Sequence, residues 1–377
     1  MKFNINREDF LHPLQLVVGA VERRHTLPIL ANVLLQVEGQ NQLWLTGTDL
    51  EVELVANADL SGETIHDGQI TVPAKKLLDI VRGFPEDSSI FFEVEENKAI
   101  IRSGRAKYSL STLTADDYPN LEDWQVESEF EITQQDLKTL IESVQFSMAQ
   151  QDVRYYLNGM SLETSEHTIR TVATDGHRLA MSINEYTQEV LPSKQVIIPR
   201  KGVMEISRLI EDSTDQVNIQ LGTNHIKMQS KKFVFTSKLV DGRFPDYNRV
   251  VPKTTDKHVI VYRDVLKSAF SRAMILTNDK FKGVRLNLSS GELKITATNP
   301  EQEQAEEIVD VNYEGEDLEI GFNVAYLIDA LNAIETNAVV LKLSDSNASA
   351  LVHGVKTVDG NHIDDDESQY VIMPMRL

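Results

Sequence analysis

Leu45-Thr46-Gly47-Thr48-Asp49 returns further along the chain as Val172-Ala173-Thr174-Asp175-Gly176, and again as Ile295-Thr296-Ala297-Thr298-Asn299. Thr48, Thr174 and Thr298 stand 126 and 124 residues apart. A second marker keeps that register: Val72-Pro73-Ala74-Lys75-Lys76, Ile198-Pro199-Arg200-Lys201-Gly202 and Phe322-Asn323-Val324-Ala325-Tyr326. Separate markers that hold one spacing through three copies point to an internal repeat rather than to shared composition.

Upstream of the first marker, each copy opens with a strand-like run that passes into an amphipathic helix pattern. Lys2-Phe3-Asn4-Ile5 leads to Phe10, Leu14 and Val17; Phe130-Glu131-Ile132 leads to Leu137, Leu140, Ile141 and Val144; Val259-Ile260-Val261 leads to Val265, Leu266, Ala269 and Phe270. The spacing of three to four is what one buried helix face requires. The second marker opens another helix in each copy, through Leu77, Leu78 and Val81, through Val203, Ile206 and Leu209, and through Leu327, Leu331 and Ile334. Pro73 and Pro199 stand where a helix start tolerates proline. The remainder alternates like antiparallel strands, as in Val33, Leu35 and Val37, with turn signals such as Glu38-Gly39-Gln40-Asn41 between them. The fold class is therefore α+β: three copies of a unit with two helices and small antiparallel sheets, spanning 1–127, 128–253 and 254–377. A period this long exceeds that of solenoids, so each unit is expected to own a core.

The bulk numbers agree. The chain has 377 residues, enough for two or three domains, with 41% hydrophobic and 25% charged residues, ordinary for a globular protein. No apolar run approaches the roughly 18–20 residues that span a bilayer. The N-terminus lacks the apolar core of a signal peptide, so a cytoplasmic location is expected. The absence of cysteine excludes disulfides, zinc ribbons and thiol catalysis. The net charge of −21 argues, on its own, against nucleic acid as a partner, because DNA binders present a basic surface to the phosphates.

Chemistry-bearing motifs are few. Thr174-Asp175-Gly176-His177-Arg178 holds an acid, a base and a cation, which invites an acid-base reading. Asp-Gly is also a strong hairpin-turn pair, and neither other copy has a histidine there, so the turn is the favoured reading. His362-Ile363-Asp364-Asp365-Asp366-Glu367 offers oxygen ligands but lacks the spacing and central glycine of a calcium loop, and reads as a solvated acidic loop. There is no phosphate-binding glycine motif and no nucleophile elbow. Neither a cofactor nor a resident metal is expected. Arg23-Arg24, Lys75-Lys76, Arg82, Arg200-Lys201, Arg272, Lys280 and Lys282 lie on or beside the helix patterns, while acidic residues crowd the strands and loops. Taken alone, these cations read as ordinary solvated surface.

Thr26-Leu27-Pro28-Ile29-Leu30, Leu45 through Glu51, Asp152-Val153-Arg154-Tyr155-Tyr156-Leu157-Asn158-Gly159, Val172 through Leu179, Thr236 through Tyr247 and the tail Met373-Pro374-Met375-Arg376-Leu377 together resemble the bacterial replicative sliding clamp family, the beta subunits of DNA polymerase III. The resemblance runs the whole length. It implies a non-catalytic protein that encircles double-stranded DNA, tethers the replicative polymerase and other proteins bearing a clamp-binding motif, and is opened by a separate clamp loader. It also implies three clamp domains per chain and a head-to-tail homodimer ring, with helices inside and sheets outside. Basic helices facing the duplex and an acidic rim then reconcile the charge with DNA.

Residue by residue, the resemblance places Arg24, Gln151, Tyr155, Tyr156, Arg200 and Lys201 near DNA. It assigns a partner-peptide pocket to Leu157, Thr174, Gly176, His177, Arg178, Leu179, Pro245, Arg249, Val250, Asn323, Tyr326, Val371, Met373, Pro374, Met375 and Arg376. The dimer seam would use Lys76, Leu78, Tyr108 and Leu110 of one chain against Ile275 and Leu276 of the other, with Glu301, Glu303, Glu306 and Glu307 meeting basic residues across it. One departure stands out: the segment 352–369 is longer than the family pattern and precedes the pocket-forming tail, where it bears on access to the pocket.

Overall fold

The computed structural model describes residues 1–21, 27–39, 41–119, 121, 124–358 and 361–376. Six α-helices are found among them, two per repeat: α1 (Arg7–Val18) and α2 (Ala74–Gly83), α3 (Gln134–Glu142) and α4 (Arg200–Leu209), α5 (Arg263–Met274) and α6 (Val324–Ala333). The second marker opens α2, α4 and α6. Pro73 and Pro199 immediately precede α2 and α4, and Asn323 caps α6 by accepting from the Ala325 amide at 2.9 Å. Among the described residues no helix is long and apolar enough to cross a membrane.

The first marker forms the same hairpin turn in the first two copies. Thr48 Oγ1 donates to the Val52 carbonyl (2.8 Å), and Asp49 Oδ1 accepts from the amides of Glu51 and Val52. Thr174 Oγ1 likewise donates to the Arg178 carbonyl (2.6 Å), and Asp175 Oδ1 accepts from the amides of His177 and Arg178. The turn needs one residue at positive φ: Leu50 at 77° in the first copy and Gly176 at 88° in the second. Gly47 answers a different demand, since a Cβ there would come within 2.4 Å of the Val17 carbonyl at the end of α1.

The chain forms two compact units, Met1–Gln135 with Met204–Leu239, and Asp136–Val203 with Val240–Leu377. In the first unit, a five-stranded antiparallel sheet runs in the order Ser61–His66, Lys2–Asn6, Ser89–Glu95, Lys98–Ser103, Ala106–Ser111. Its inner face is aromatic, with Phe3 stacked on Phe92 at 4.8 Å and edge-on to Phe10 of α1. An eight-stranded sheet of the same unit joins Gly68–Pro73, Asn32–Val37, Gln42–Thr48 and Val52–Asp59 to Phe233–Lys238, His225–Gln229, Gln216–Gly222 and Val126–Thr133. The joint pairs Phe235 with Leu54 and Ser237 with Val52. Helix α1 packs on Gln42–Thr48 and Val52–Asp59 and against α2.

The second unit repeats this plan. Leu191–Pro199, Gly159–Glu166, Thr168–Thr174 and Arg178–Glu185 join Asn361–Ile372, Ala350–Val358, Ala338–Leu343 and Lys257–Tyr262, with Ala180 opposite Tyr370. A four-stranded sheet runs Gln304–Asp310, Glu292–Thr298, Gly283–Ser289, Leu318–Asn323. The sheets therefore run on from one repeat into the next. Each junction is a strand pair, and the middle repeat contributes one sheet-half to each unit.

The acidic run also differs from expectation. His362–Glu367 belongs to the strand Asn361–Ile372, not to a loop. The ladder to Ala350–Val358 holds its backbone, and lysines offset its charge: Lys342 to Asp364 (2.6 Å), Lys356 to Asp365 (3.2 Å) and to Glu367 (3.6 Å).

Candidate partner-docking cleft

The joint between Arg178–Glu185 and Asn361–Ile372 carries a cavity of 270 Å³. Its floor is the apolar cluster of Val172, Leu179, Met181, Ile197, Phe244, Tyr247, Leu351 and Val371. The lining comprises Leu157, Thr174, Gly176, Arg178, Leu179, Pro245, Val250, Val371 and Met373 from the expected pocket, together with Arg154, Tyr156, Asp246 and Tyr247. A mostly apolar hollow with a few fixed polar groups suits an extended peptide that inserts apolar side chains.

Two arginines build one wall. Arg178, largely buried, donates from Nε to Asp175 (3.1 Å) and from Nη2 to the Phe146 carbonyl (2.8 Å), and pairs closely with Asp329. Its guanidinium lies 4.5 Å from the Tyr326 ring centre and 5.4 Å from that of Phe146. Arg154 is gripped by Asp152 at 3.0 and 2.8 Å and reaches the Asp175 carbonyl at 3.2 Å. The Arg154 hydrogen bonds hold the Asp152 carboxyl down at about 2. Gly176 is needed here twice over, because a Cβ would lie 2.9 Å from the Arg154 guanidinium.

On the opposite side, Tyr247 donates to Glu163 (2.8 Å) and accepts from Arg170 (3.1 Å); burial first, and the Glu163 carboxylate second, push its phenol up to about 12. The tail closes the site, with Met373 N–H donating to the His177 carbonyl (3.0 Å) and Met375 N–H to the Gly321 carbonyl (2.9 Å).

Other expected pocket residues stand around the cavity rather than in its lining. Tyr326 supports Arg178, Asn323 caps α6, and exposed Arg249 pairs with Asp246 at 2.9 Å. Exposed His177 contributes its carbonyl, while Pro374, Met375 and Arg376 continue the tail beyond Met373. Asp175 is engaged by two amides and Arg178, which is the turn reading of that motif. Among the described residues none from 352–369 lines the cavity.

Of the residues expected near DNA, Arg24 lies outside the described residues. Gln151, at φ 55°, and Tyr155 are exposed. Arg200 and Lys201 are half-buried in the first turn of α4, with Arg200 donating to the Met148 carbonyl at 3.2 Å. Tyr156 differs from expectation: it packs on the apolar cluster and lines the cavity.

At the expected seam, Tyr108 and Lys76 are exposed, and Leu78 and Leu110 are buried within their own unit. Ile275 is 76% exposed and Leu276 half-buried. Glu301 and Glu303 are exposed, Glu303 accepting from Asn299 at 2.6 Å. Glu306 and Glu307 are paired in their own chain, with Lys294 (2.6 Å) and Arg272 (2.6 and 2.8 Å).

Models of the DNA polymerase III beta subunit match the chain in three consecutive parts: the N-terminal domain over residues 1–122, the central domain over 131–246 and the C-terminal domain over 248–376. The chain belongs to this family. It is similar to the beta sliding clamps of Proteus mirabilis, at 54% identity, and Escherichia coli K12, at 53%, each covering 100% of both chains. The crystal structure of the DNA polymerase III subunit beta from Pseudomonas aeruginosa superposes with a TM-score of 0.95 at 54% identity, again over 100% of both chains. As a beta clamp, the protein is a non-catalytic DNA sliding clamp that tethers polymerase for processivity. The cavity is thus a hollow on a clamp's second compact unit, built by the joint of its middle and last repeats.

Proposed function

We propose that two copies of this clamp close head to tail into a ring around duplex DNA, and that the cavity receives extended segments of the replicative polymerase, the clamp loader and other proteins bearing a clamp-binding motif. The observation that carries the ring is the strand pairing between repeats. The strand after the first marker, Val52–Asp59 in the first repeat and Arg178–Glu185 in the second, pairs in each case with the last strand of the following repeat. Among the described residues the third repeat's equivalent, Gln304–Asp310, is a free edge, and so is the first repeat's last strand, Ala106–Ser111. Pairing those two between copies repeats the internal joint and removes both open edges, twice per ring. Tyr108 on one edge and Ile308 on the other, 43% and 56% exposed, supply apolar surface. Ile275, Leu276, Lys76, Glu301 and Glu303 flank that seam, while Leu78 and Leu110 back it from within.

Arg24, Gln151, Tyr155, Arg200 and Lys201 are assigned to phosphate contacts, which carry no sequence information and so permit sliding. The test is retention after loading by a cognate ATP-driven loader on nicked circular DNA and on the same DNA linearised, at raised salt. The ring reading expects retention on circles and rapid loss from linear ends. Equal retention on both forms, or none on either with an active loader, overturns it.

A further inference from the structure

The hairpin of Ala350–Val358 and Asn361–Ile372 carries a cluster for which the clamp reading has no role. His353, in its first strand, is fully buried. Its Nδ1 lies 3.1 Å from the Gly354 carbonyl, which can only accept, so Nδ1 carries a proton. In the neutral ring Nε2 is then a bare lone pair. It is buried, it has no hydrogen-bond partner among the described residues, and it is aimed between two carboxylates, 3.8 Å from Asp364 and 4.0 Å from Asp366.

The strand register explains the convergence. Asp364 lies opposite Val355, two residues from His353 and on the same face of that strand, while the ladder shifts register between His353 and Gly354, so that Asp366 falls in the bulged stretch between Asp365 and Gln369, where its carboxylate comes to 4.0 Å from Nε2. Ala338, Val340 and Val355, with Ile260, form an apolar wall beside them. The three ligand atoms all lie within 4.8 Å of one another. Three acceptors meeting at that distance call for positive charge among them; Lys342 supplies it at Asp364, and a divalent ion supplies it to all three. Zinc takes imidazole nitrogen and carboxylate oxygen at about 2.0–2.2 Å, so such a triangle closes on an ion with small side-chain movements. The Nδ1 hydrogen bond to a carbonyl is the support a metal-binding histidine ordinarily has. Lys342 holds the same Asp364 oxygen at 2.6 Å, and an entering ion displaces it or shifts it to the other oxygen.

We propose that His353, Asp364 and Asp366 bind a first-row divalent cation, zinc being best suited to one imidazole nitrogen and two carboxylates. Such an ion staples the two strands of the hairpin just before Val371 and Met373 enter the cavity wall. The test is calorimetric titration of untagged, chelator-stripped full-length protein with zinc chloride, supported by the visible absorption of the cobalt-substituted form. The expected result is one ion per chain at micromolar or tighter affinity. Asp366→Asn, an exposed position that leaves the fold intact, weakens binding at least tenfold, and His353→Gln abolishes it. Glu367→Gln, outside the cluster, leaves it unchanged. Absence of saturable binding below millimolar zinc, the result if Nε2 holds only a proton, overturns the proposal. So does equal affinity in Asp366→Asn, which decides alone if His353→Gln fails to fold.

Discussion

Replacing Ile275 by alanine separates a seam residue from an ordinary surface isoleucine. Ile275 is 76% exposed in the single chain, so its truncation barely touches the fold, and surface changes of this kind stay within about 0.5 kcal/mol. Fully burying an isoleucine contributes about 1.5–3 kcal/mol, and roughly three quarters of this remains to be gained when a second copy covers the residue. That is about 1–2 kcal/mol at each seam. A head-to-tail ring has two identical seams, so dimer dissociation reads about 2–4 kcal/mol, or on the order of thirtyfold to a thousandfold in Kd. The assay is sedimentation equilibrium over a wide concentration range, with thermal unfolding of the dilute monomer as control. A dissociation constant unchanged within about threefold, with an unchanged control, would refute the placement of Ile275 at the seam.

Gly176→Ala should destabilise the cavity turn by about 1–2 kcal/mol, because φ is 88° and the new Cβ meets Arg154; hydrogen exchange at the amides of His177 and Arg178 reads it, together with loss of affinity for a polymerase-derived clamp-binding peptide. Asp152 has a depressed folded pKa, so its contribution to stability is fully present above its unfolded value near 4 and is lost as pH falls toward 2. Carbon-13 NMR titration should find its midpoint near 2 in the wild type and closer to 4 in Arg154→Ala. Replacing Arg200 and Lys201 together by alanine should weaken direct DNA affinity and flatten its salt dependence by up to about 0.9 per lost phosphate contact, while retention of loaded rings on circular DNA persists.

The threefold plan was legible because its markers answer local demands. Thr48 and Thr174 close the same turn through their hydroxyls, and the second marker opens a helix in every copy. The fusion of neighbouring repeats was not legible. Alternation along Val52–Asp59 states which face is buried but not that Phe233–Lys238 lies beside it, since a period of two carries no partner identity. The acidic run His362–Glu367 reads as a loop for a related reason: its strand character comes from the ladder and from Lys342 and Lys356, none of which is visible in the run itself. In the cavity, Arg154, Asp246 and Tyr247 have no pocket role in the sequence reading, although Arg154 adjoins Tyr155, Asp246 adjoins Pro245, and Tyr247 lies two residues from both Pro245 and Arg249. Their placement depends on Asp152 gripping Arg154 and on the short helical turn Tyr247–Arg249. Tyr155 and Tyr156 read alike in the sequence, yet these adjacent side chains point to solvent and to the cleft.

The strand joints also set a timetable for synthesis. Val52–Asp59 leaves the ribosome about 180 residues ahead of Phe233–Lys238, its partner in the eight-stranded sheet. At about 5–20 residues per second, that edge waits on the order of 10–40 s for its neighbour. Arg178–Glu185 then waits about as long for Asn361–Ile372. A nascent clamp therefore carries an unpaired β edge through most of its translation, beside other copies emerging from the same polysome with the same open edge. The charged residues scattered along these strands, Glu53 and Asp59 in the first and Arg178 and Glu185 in the second, discourage such edges from pairing with one another before the correct strand arrives.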